Sequence, residues 1–96
     1  MPFAQQTPRI FNRQNIESLK ENQFGVYGLF KQGHWIYVGK GDIRKRLLSH
    51  LNGDNPCITG SGVTHWVAEL WTDPQMSTRE KVLIAELNPL CNQKVG

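Results

Sequence analysis

Residues 24–30 have the sequence Phe-Gly-Val-Tyr-Gly-Leu-Phe, and residues 35–38 have the sequence Trp-Ile-Tyr-Val. Both runs are rich in aromatic and β-branched side chains, which are typical of strands. The four residues that separate them, 31–34, are Lys-Gln-Gly-His and include a glycine, as short strand connections often do. The stretch therefore predicts a β-hairpin.

The length of the hairpin connection decides which side chains share a face. A two-residue connection would pair Tyr27 with Val38 and would place Tyr27 and Tyr37 on opposite faces. A three-residue connection, with Gly33 in the left-handed position of a bulge, would place Tyr27 directly opposite Tyr37. We favour the three-residue connection, because it puts the glycine where this turn requires one.

The segment before the hairpin has two parts. Residues 1–12 mix prolines and glutamines with isolated apolar side chains, which indicates an irregular lead-in. Residues 12–22 contain apolar positions three apart and potential asparagine caps, which predicts a short helix. We expect one globular domain, in which residues 1–22 precede the main body formed by residues 23–96.

A second helix is predicted directly after the hairpin. Residues 42–51 carry one apolar stripe, and Asp42 stands near the start, where a carboxylate suits the helix dipole. Arg46 and His50 are four residues apart and fall together along one edge of this stripe. Residues 52–62 are dense in turn-forming residues and predict a loop.

The last third of the chain predicts a strand and a helix. Residues 64–71 alternate in the manner of a strand, and residues 77–80, Ser-Thr-Arg-Glu, match a capping box that opens a helix to about residue 87. The helical wheel places Glu80 in the middle of the apolar arc, so its carboxylate should point inward. An inward carboxylate must be paired or hold a cation, and Mg²⁺ often needs only one or two protein carboxylates.

Composition narrows the class of protein. The chain has 96 residues, of which 39% are hydrophobic and 20% charged, and this excludes a disordered tail and a membrane protein. The formal net charge is +3 and the pI is near 9.1, which is compatible with a polyanionic partner. Four basic residues lie within seven positions: Lys40, Arg44, Lys45 and Arg46.

The cysteines and histidines predict no metal framework. Cys57 and Cys91 are the only cysteines and form no Cys-x-x-Cys pair, so we expect two free thiols. The three histidines lack the spacing of zinc ligands. The first twenty residues contain no apolar run that is typical of a signal peptide or a membrane span, and a cytoplasmic location is the default expectation.

Each candidate functional residue also has a structural explanation when it is taken alone. A glutamate in a capping box satisfies a backbone donor, tyrosines are ordinary strand residues, and a polar helix edge is usually solvated. Function is therefore inferred from the arrangement of these residues along the chain.

The arrangement, in sequence order, is Gly25-Val26-Tyr27, Tyr37-Val38-Gly39, Arg46, Glu80 and Asn92. This order and spacing resemble the GIY-YIG nuclease superfamily. The step of twelve residues from Glu80 to Asn92 is similar to that in the nuclease domain of the bacterial excision-repair endonucleases. Each short motif is weak alone, but the five occur in order and cover most of the chain.

The resemblance implies an α+β fold in which a three-stranded antiparallel sheet is flanked by helices, with residues 23–96 as the nuclease domain. It implies one active site, on the sheet face that bears both tyrosines. The activity of the family is metal-dependent hydrolysis of DNA phosphodiester bonds by an endonuclease, with Mg²⁺ or Mn²⁺ held by the glutamate that matches Glu80. Tyr27 would be the general base or would orient the attacking water, and Tyr37 would lie beside it on the scissile phosphate.

Other roles follow from the same resemblance. Arg46 would neutralise charge that develops on the phosphoryl oxygens, Asn92 would help to position the site, and His50 would be a second proton carrier or a phosphate contact. The step from Gly39 to Arg46 is one residue shorter than in the excision-repair domain, which leaves Arg44 as the alternative arginine. We favour Arg46 because it lies four residues before His50.

DNA is the expected partner, with RNA as the alternative, and no membrane is expected. The basic residues Lys40, Arg44, Lys45 and Arg46 would contact the phosphates, and a role in DNA repair or recombination would fit. The chain has no room for the accessory domain of the homing endonucleases in this family, so specificity would come from the domain itself, a homo-oligomer or a protein partner. A second hypothesis is a nucleic-acid-binding module on the same scaffold that cleaves weakly or not at all.

Overall fold

The computed structural model describes residues 3–92, in which one antiparallel sheet is flanked by helices, and the predicted α+β class is confirmed. The strands are β1 (Arg9–Ile10), β2 (Phe24–Lys31), β3 (His34–Asp42) and β4 (His65–Leu70). The helices are α1 (Arg13–Glu17), α2 (Ile43–Leu51), α3 (Pro56–Ser61) and α4 (Gln75–Leu87), followed by a 3₁₀ turn at Leu90–Asn92. The strand order β1-β4-β2-β3 makes β3 an edge strand. Within the described range, each helix is too short or too polar to cross a membrane.

The sheet has four strands, and the expectation of three was wrong. The additional strand is β1, in which Arg9 pairs with Trp66 and Ile10 pairs with His65 of β4. It lies in the predicted irregular lead-in, whose first two residues fall outside the described range. A strand of two residues is too short to display the alternation by which strands are recognised in sequence.

The hairpin of β2 and β3 closes with a two-residue turn, and the favoured three-residue connection was wrong. Lys31 pairs with His34, and the two residues between them, Gln32 and Gly33, have φ angles of 46° and 80°. Positive φ at both positions is typical of a type I′ turn, whose twist matches that of the flanking strands. The two tyrosines are therefore not paired directly.

A bulge nevertheless brings the tyrosines to the same face of the sheet. Leu29 pairs with Tyr37, while Ile36 has no partner, so the register shifts by one residue at this point. Beyond the shift Tyr27 pairs with Gly39, which makes Tyr27 and Tyr37 diagonal neighbours with ring centroids 6.2 Å apart. The prediction of a shared face is confirmed, although the cause is a bulge and not the turn.

The two faces of the sheet are covered by different helices. Helices α1, α2 and α3 cover one face through a cluster of buried residues, which are Ile16, Tyr27, Leu29, Ile43, Leu47, Ile58 and Trp66. Helix α4 covers the other face through a second cluster, which consists of Phe3, Val26, Val38, Val67, Met76 and Leu83. This division matters for the site, because the tyrosines belong to the first layer and α4 to the second.

Helix α2 forms as predicted, and helix α1 is shorter than predicted. The Asp42 side chain accepts a hydrogen bond from the backbone N–H of Lys45, at 3.2 Å, and caps α2. Asn12 caps α1 in the same way and accepts from the backbone N–H of Asn15 at 2.8 Å. Helix α1 ends at Glu17, within the predicted range of 12–22.

Residues 52–62 do not form only a loop, because they contain α3. The Asn55 side chain accepts from the backbone N–H of Cys57 at 3.0 Å, and Pro56 occupies the first helical position. Gly62, with a φ of 70°, ends the helix in the left-handed conformation. Asparagine, proline and glycine mark helix ends as well as loops, and this ambiguity explains the wrong prediction.

Cys57 and Cys91 form a disulfide, and the prediction of two free thiols was wrong. Their Cα atoms are 5.7 Å apart, although the residues are separated by 34 positions in the sequence. The bond ties α3 to the 3₁₀ turn that follows α4. Two isolated cysteines carry no sequence signal for pairing, because only the tertiary fold brings them together.

Helix α4 begins at Gln75, so the proposed capping box at residues 77–80 was wrong. The backbone N–H and the hydroxyl of Ser77 both donate to Asp73 Oδ1, at 3.1 and 2.7 Å. Asp73 therefore satisfies the backbone donor of Ser77 in the first turn of the helix, and Glu80 lies in the second turn. Glu80 therefore does not cap the helix, as the capping box would require. Its half-buried carboxylate needs another explanation.

Candidate functional site

Tyr27, Tyr37 and His50 form an aromatic cluster between the sheet and α2. The Tyr27 hydroxyl oxygen lies 2.6 Å from His50 Nε2, and the edge of the His50 ring meets Tyr37 with centroids 5.1 Å apart. Tyr27 is 0% exposed and His50 is 2% exposed, whereas Tyr37 is half-buried. The cluster therefore has a closed interior and reaches the surface through Tyr37.

Arg46 joins this cluster from the same helix. Its guanidinium lies close enough to the Tyr27 hydroxyl for the two groups to change each other's pKa. Burial raises the pKa of Tyr27, and Arg46 opposes this effect by stabilising the phenolate; Tyr27 in turn raises the pKa of Arg46. Arg46 passes over Gly41, where a side chain would place its Cβ 3.5 Å from Arg46 Cγ.

Arg44, the alternative arginine, points elsewhere. Its guanidinium lies 3.7 Å from the carboxylate of Glu21. Within the described residues, Arg46 is therefore the arginine that approaches the tyrosines. Lys45 between them is exposed, as is Lys40 on β3.

Asp54 is a part of the cluster that the sequence analysis missed. Its Oδ1 lies 2.8 Å from Nδ1 of His50. Burial lowers the pKa of His50, and Asp54 acts in the opposite direction. The four-residue spacing from His50 to Asp54 is a signal for this contact, but Asp54 was assigned to a loop in which spacing carries no geometric meaning.

Gly39 makes room for the tyrosines. A Cβ at this position would overlap the Tyr27 hydroxyl and would lie 2.8 Å from Tyr37 Cε2. Both rings are held by their neighbours, so they have little freedom to move away. The absence of a side chain at Gly39 is therefore a condition for the tyrosine pair.

We predict that Gly39→Ala destabilises the protein by about 3 kcal/mol, because the added methyl group overpacks a closed cluster. Gly60→Ala is the matched control. A Cβ at Gly60 meets no atom within 4 Å, and the position lies in α3, so alanine should be neutral or stabilise by up to about 1 kcal/mol. Urea denaturation of both variants measures the difference. Equal midpoints for the two variants would contradict the role of Gly39.

Glu80 lies on α4, which packs against the opposite face of the sheet from the tyrosines. A single site that joins Glu80 to the face of Tyr27 and Tyr37 stays a prediction. Burial raises the pKa of Glu80, and the positive charges of Lys40 and Lys81 oppose this effect. Lys40 lies on the edge strand β3, and its Nζ donates to the hydroxyl of Ser77 on α4 at 2.7 Å.

The Glu80 carboxylate fits a hydrated divalent ion. Among residues 3–92, no hydrogen bond or ion pair engages it, and no group of three potential ligand side chains surrounds it. Mg²⁺ keeps several of its waters and is commonly bound through one or two carboxylates. A single open, half-buried carboxylate is thus sufficient as the protein ligand for this ion.

Asn92 covers the outer edge of β3. Its side-chain oxygen accepts from the Val38 N–H at 2.7 Å, and its side-chain nitrogen donates to the Val38 carbonyl at 2.9 Å. These are the two backbone groups of Val38 that an edge strand leaves unpaired. Asn92 therefore fixes the segment of β3 between Tyr37 and Gly39, which contributes Tyr37 to the cluster and makes room for its rings.

The structure thus arranges the predicted site residues in two groups on either side of one strand. The four cluster residues lie on the α2 side: Tyr27, Tyr37, Arg46 and His50. Glu80 lies on the α4 side, and Asn92 holds the strand that separates the two groups. A ligand that touches both groups must cross the outer edge of β3.

The chain is similar to a solved domain over most of its length. The GIY-YIG N-terminal endonuclease domain of UvrC from Thermotoga maritima, as a point mutant bound to its catalytic divalent cation, matches with a TM-score of 0.73 and 26% identity, over 85% of this chain and 94% of that chain. The magnesium-bound form of the same domain matches with a TM-score of 0.70 and 24% identity, over 83% and 98% of the two chains. No protein-family model and no curated protein matches the chain.

Proposed function

Because the chain has the fold of the GIY-YIG endonuclease domain over most of its length, we propose that it is a divalent-metal-dependent nuclease that hydrolyses phosphodiester bonds in DNA. The observation that carries the proposal is the hydrogen bond between Tyr27 and His50, with the positive charge of Arg46 beside it and the open carboxylate of Glu80 on the neighbouring helix layer. Phosphoryl transfer requires positioned groups and stabilisation of charge more than covalent chemistry. These side chains supply both.

The tyrosine side of the site would handle the attacking water and the phosphate. In this proposal Tyr27 takes a proton from the water or orients it, and the half-buried Tyr37 contacts the scissile phosphate. Arg46 remains protonated throughout, because its pKa lies far above neutrality and is raised further by Tyr27. Its charge would offset the negative charge that develops on the phosphoryl oxygens.

Glu80 would hold the metal, Mg²⁺ or Mn²⁺, at the other side of β3. When bound, the ion supplies Lewis-acid stabilisation of negative charge on oxygen. Asn92 would keep the intervening strand in place through both of its hydrogen bonds to Val38. Lys40, which lies near Glu80, would bind an adjacent phosphate.

DNA contact would come from the basic residues along β3 and α2, namely Lys40, Arg44, Lys45 and Arg46.

We predict that the logarithm of the binding constant falls with the logarithm of salt concentration at a slope of roughly −3 to −4, since about four phosphates are neutralised. The exposed Lys45 should contribute about one unit, so Lys45→Ala makes the slope shallower by that amount. Lys31→Ala, at the hairpin end of β2, is the control that should keep the original slope. Fluorescence anisotropy with labelled duplex DNA measures the salt dependence of binding for the wild type and both variants. Equal slopes for the wild type and Lys45→Ala would show that Lys45 does not contact the DNA.

The function is tested by incubating the pure protein with supercoiled plasmid. We expect nicking with Mg²⁺ or Mn²⁺ and none with a chelator, because the ion is part of the site. A Glu80→Gln protein purified in parallel controls for contaminating nucleases. Absence of nicking over a range of salt concentrations, on plasmid DNA and on branched and RNA substrates, would reject the nuclease.

The second candidate is a nucleic-acid-binding module that cleaves weakly or not at all. The complete burial of the Tyr27 hydroxyl favours it, since a water must reach this group for cleavage. This candidate predicts salt-sensitive binding that Glu80→Gln leaves unchanged, together with no metal-dependent nicking. The nicking and binding experiments together therefore distinguish the two functions.

A further inference from the structure

A surface carboxylate completes a chain of hydrogen bonds that ends at the buried Tyr27 hydroxyl. Asp54 Oδ1 lies 2.8 Å from Nδ1 of His50, and Nε2 of the same ring lies 2.6 Å from the Tyr27 oxygen. We propose that Asp54 is a positioning residue that keeps His50 as the acceptor of the Tyr27 proton during phosphodiester hydrolysis. The inference rests on the proposed nuclease function and adds to it a residue outside the predicted set.

The direction of the two hydrogen bonds follows from what each group can donate. An ionised carboxylate only accepts, so the proton between Asp54 and His50 belongs to Nδ1. Burial lowers the pKa of His50, so the ring is neutral near neutral pH and carries no second proton. Nε2 then presents a lone pair, and the Tyr27 hydroxyl must donate to it.

This direction removes an obstacle to Tyr27 as a base. Burial raises the pKa of Tyr27, which makes a free phenolate costly in this position. When Nε2 is an acceptor, no free phenolate has to form, because the Tyr27 proton moves to His50 as Tyr27 takes a proton from water. Tyr27 remains neutral overall, and His50 becomes an imidazolium that the Asp54 carboxylate stabilises.

The atoms and electrons of this step balance. One O–H bond of the water breaks, and its electron pair forms the new bond from oxygen to phosphorus. The released proton bonds to the Tyr27 oxygen, and the original Tyr27 proton bonds to Nε2 of His50. The bond from phosphorus to the leaving oxygen breaks, and that oxygen departs with the electron pair.

The charges around His50 favour this assignment. Among the described residues, the titratable side chains that face it are Tyr27 from β2, Tyr37 from β3, Arg46 on α2 and Asp54 after α2. Arg46 lowers the pKa of His50, and Asp54 is the negative charge that opposes it. Asp54 is therefore the group in this set that stabilises a proton on His50.

The first experiment reads the His50 tautomer and does not depend on activity. Long-range proton–nitrogen NMR of isotope-labelled protein at neutral pH distinguishes protonated from unprotonated ring nitrogens, and a His50→Gln variant identifies the His50 signals. We expect the proton on Nδ1 in the wild type. In Asp54→Ala no side-chain oxygen accepts from Nδ1, so the proton should shift toward Nε2.

The second experiment measures nicking as a function of pH. Asp54→Asn should lower kcat roughly ten- to hundredfold and leave KM unchanged, because His50 no longer accepts the Tyr27 proton efficiently. The acid limb of the profile should move to lower pH, since the carboxylate that raises the His50 pKa is gone. A merely structural role of Asp54 would not move this limb. Asp42→Asn is the matched control at the other end of α2, where asparagine caps a helix as well as aspartate does.

The outcomes separate this inference from the proposed function. The role of Asp54 would be contradicted if both Asp54→Asn and Asp54→Ala kept the wild-type His50 tautomer, nicking rate and pH profile. The proposed nuclease function would not be affected by this result. A wild-type chain that does not nick would reject the catalytic role together with the nuclease. Even then, the NMR experiment confirms or rejects Asp54 as the residue that sets the His50 tautomer.

Discussion

Replacement of Glu80 by glutamine is expected to reduce Mg²⁺-dependent nicking about a thousandfold, which corresponds to the several kcal/mol that a bound metal contributes to stabilising the transition state. The amide keeps the size of the carboxylate but not its charge, which a Mg²⁺ site needs. Within the described residues the Glu80 carboxylate makes no hydrogen bond or ion pair that the change would break. We therefore expect lost activity with retained stability.

Glu86→Gln provides the matched control for this experiment. Glu86 lies on the same helix, is exposed, and undergoes the same chemical change. Initial nicking rates over a range of Mg²⁺ concentrations, with thermal unfolding of each variant, should show wild-type behaviour for Glu86→Gln. Nicking by Glu80→Gln at the wild-type rate would exclude Glu80 as the metal ligand.

Loss of the disulfide has the largest expected effect on stability, about 4 kcal/mol. Cys57 and Cys91 close a loop across 34 positions, and this link restricts the unfolded chain. The Cys57→Ser, Cys91→Ser double variant and the reduced wild type should unfold at similar, lower urea concentrations. The variant should not respond to reductant. A reductant-insensitive wild type would show that the disulfide is not what stabilises the fold.

Reduction should also loosen the edge of the sheet. Asn92 follows Cys91 directly, and both of its hydrogen bonds to Val38 depend on the position of the 3₁₀ turn. Amide hydrogen exchange at Val38 reports on this contact. We expect faster exchange at Val38 after reduction, under conditions in which the amides of the central strand β2 remain protected.

The parts of the fold that the sequence predicts correctly are those in which neighbours in the chain are neighbours in space. The hairpin and α2 have clear local patterns, so Tyr27, Tyr37, Arg46 and His50 were placed on adjacent elements. The i, i+4 relation of Arg46 and His50 is a property of any helix. Arg46 and His50 meet the two tyrosines because both tyrosines lie on the face of the sheet that α2 covers.

Several of the parts that the sequence did not predict depend on tertiary contacts. A helical wheel shows that Glu80 points inward, but it does not show which face of a sheet the helix covers. The bond of Cys57 to Cys91 and the pairing of β1 with β4 join segments that are distant in the chain. Asp54 was missed for a related reason, since its partner became visible only when the chain after α2 was seen to turn back toward His50.

The unpaired Ile36 changes how the spacing of the two tyrosines should be interpreted. Tyr27 and Tyr37 are ten positions apart, and the bulge absorbs one of these positions. A hairpin without the bulge, and one residue shorter at this point, would present the same tyrosine pair on the same face. When such chains are aligned, a one-residue gap between the tyrosines belongs opposite Ile36 and not in the turn, because the turn determines the alternation of the whole ladder.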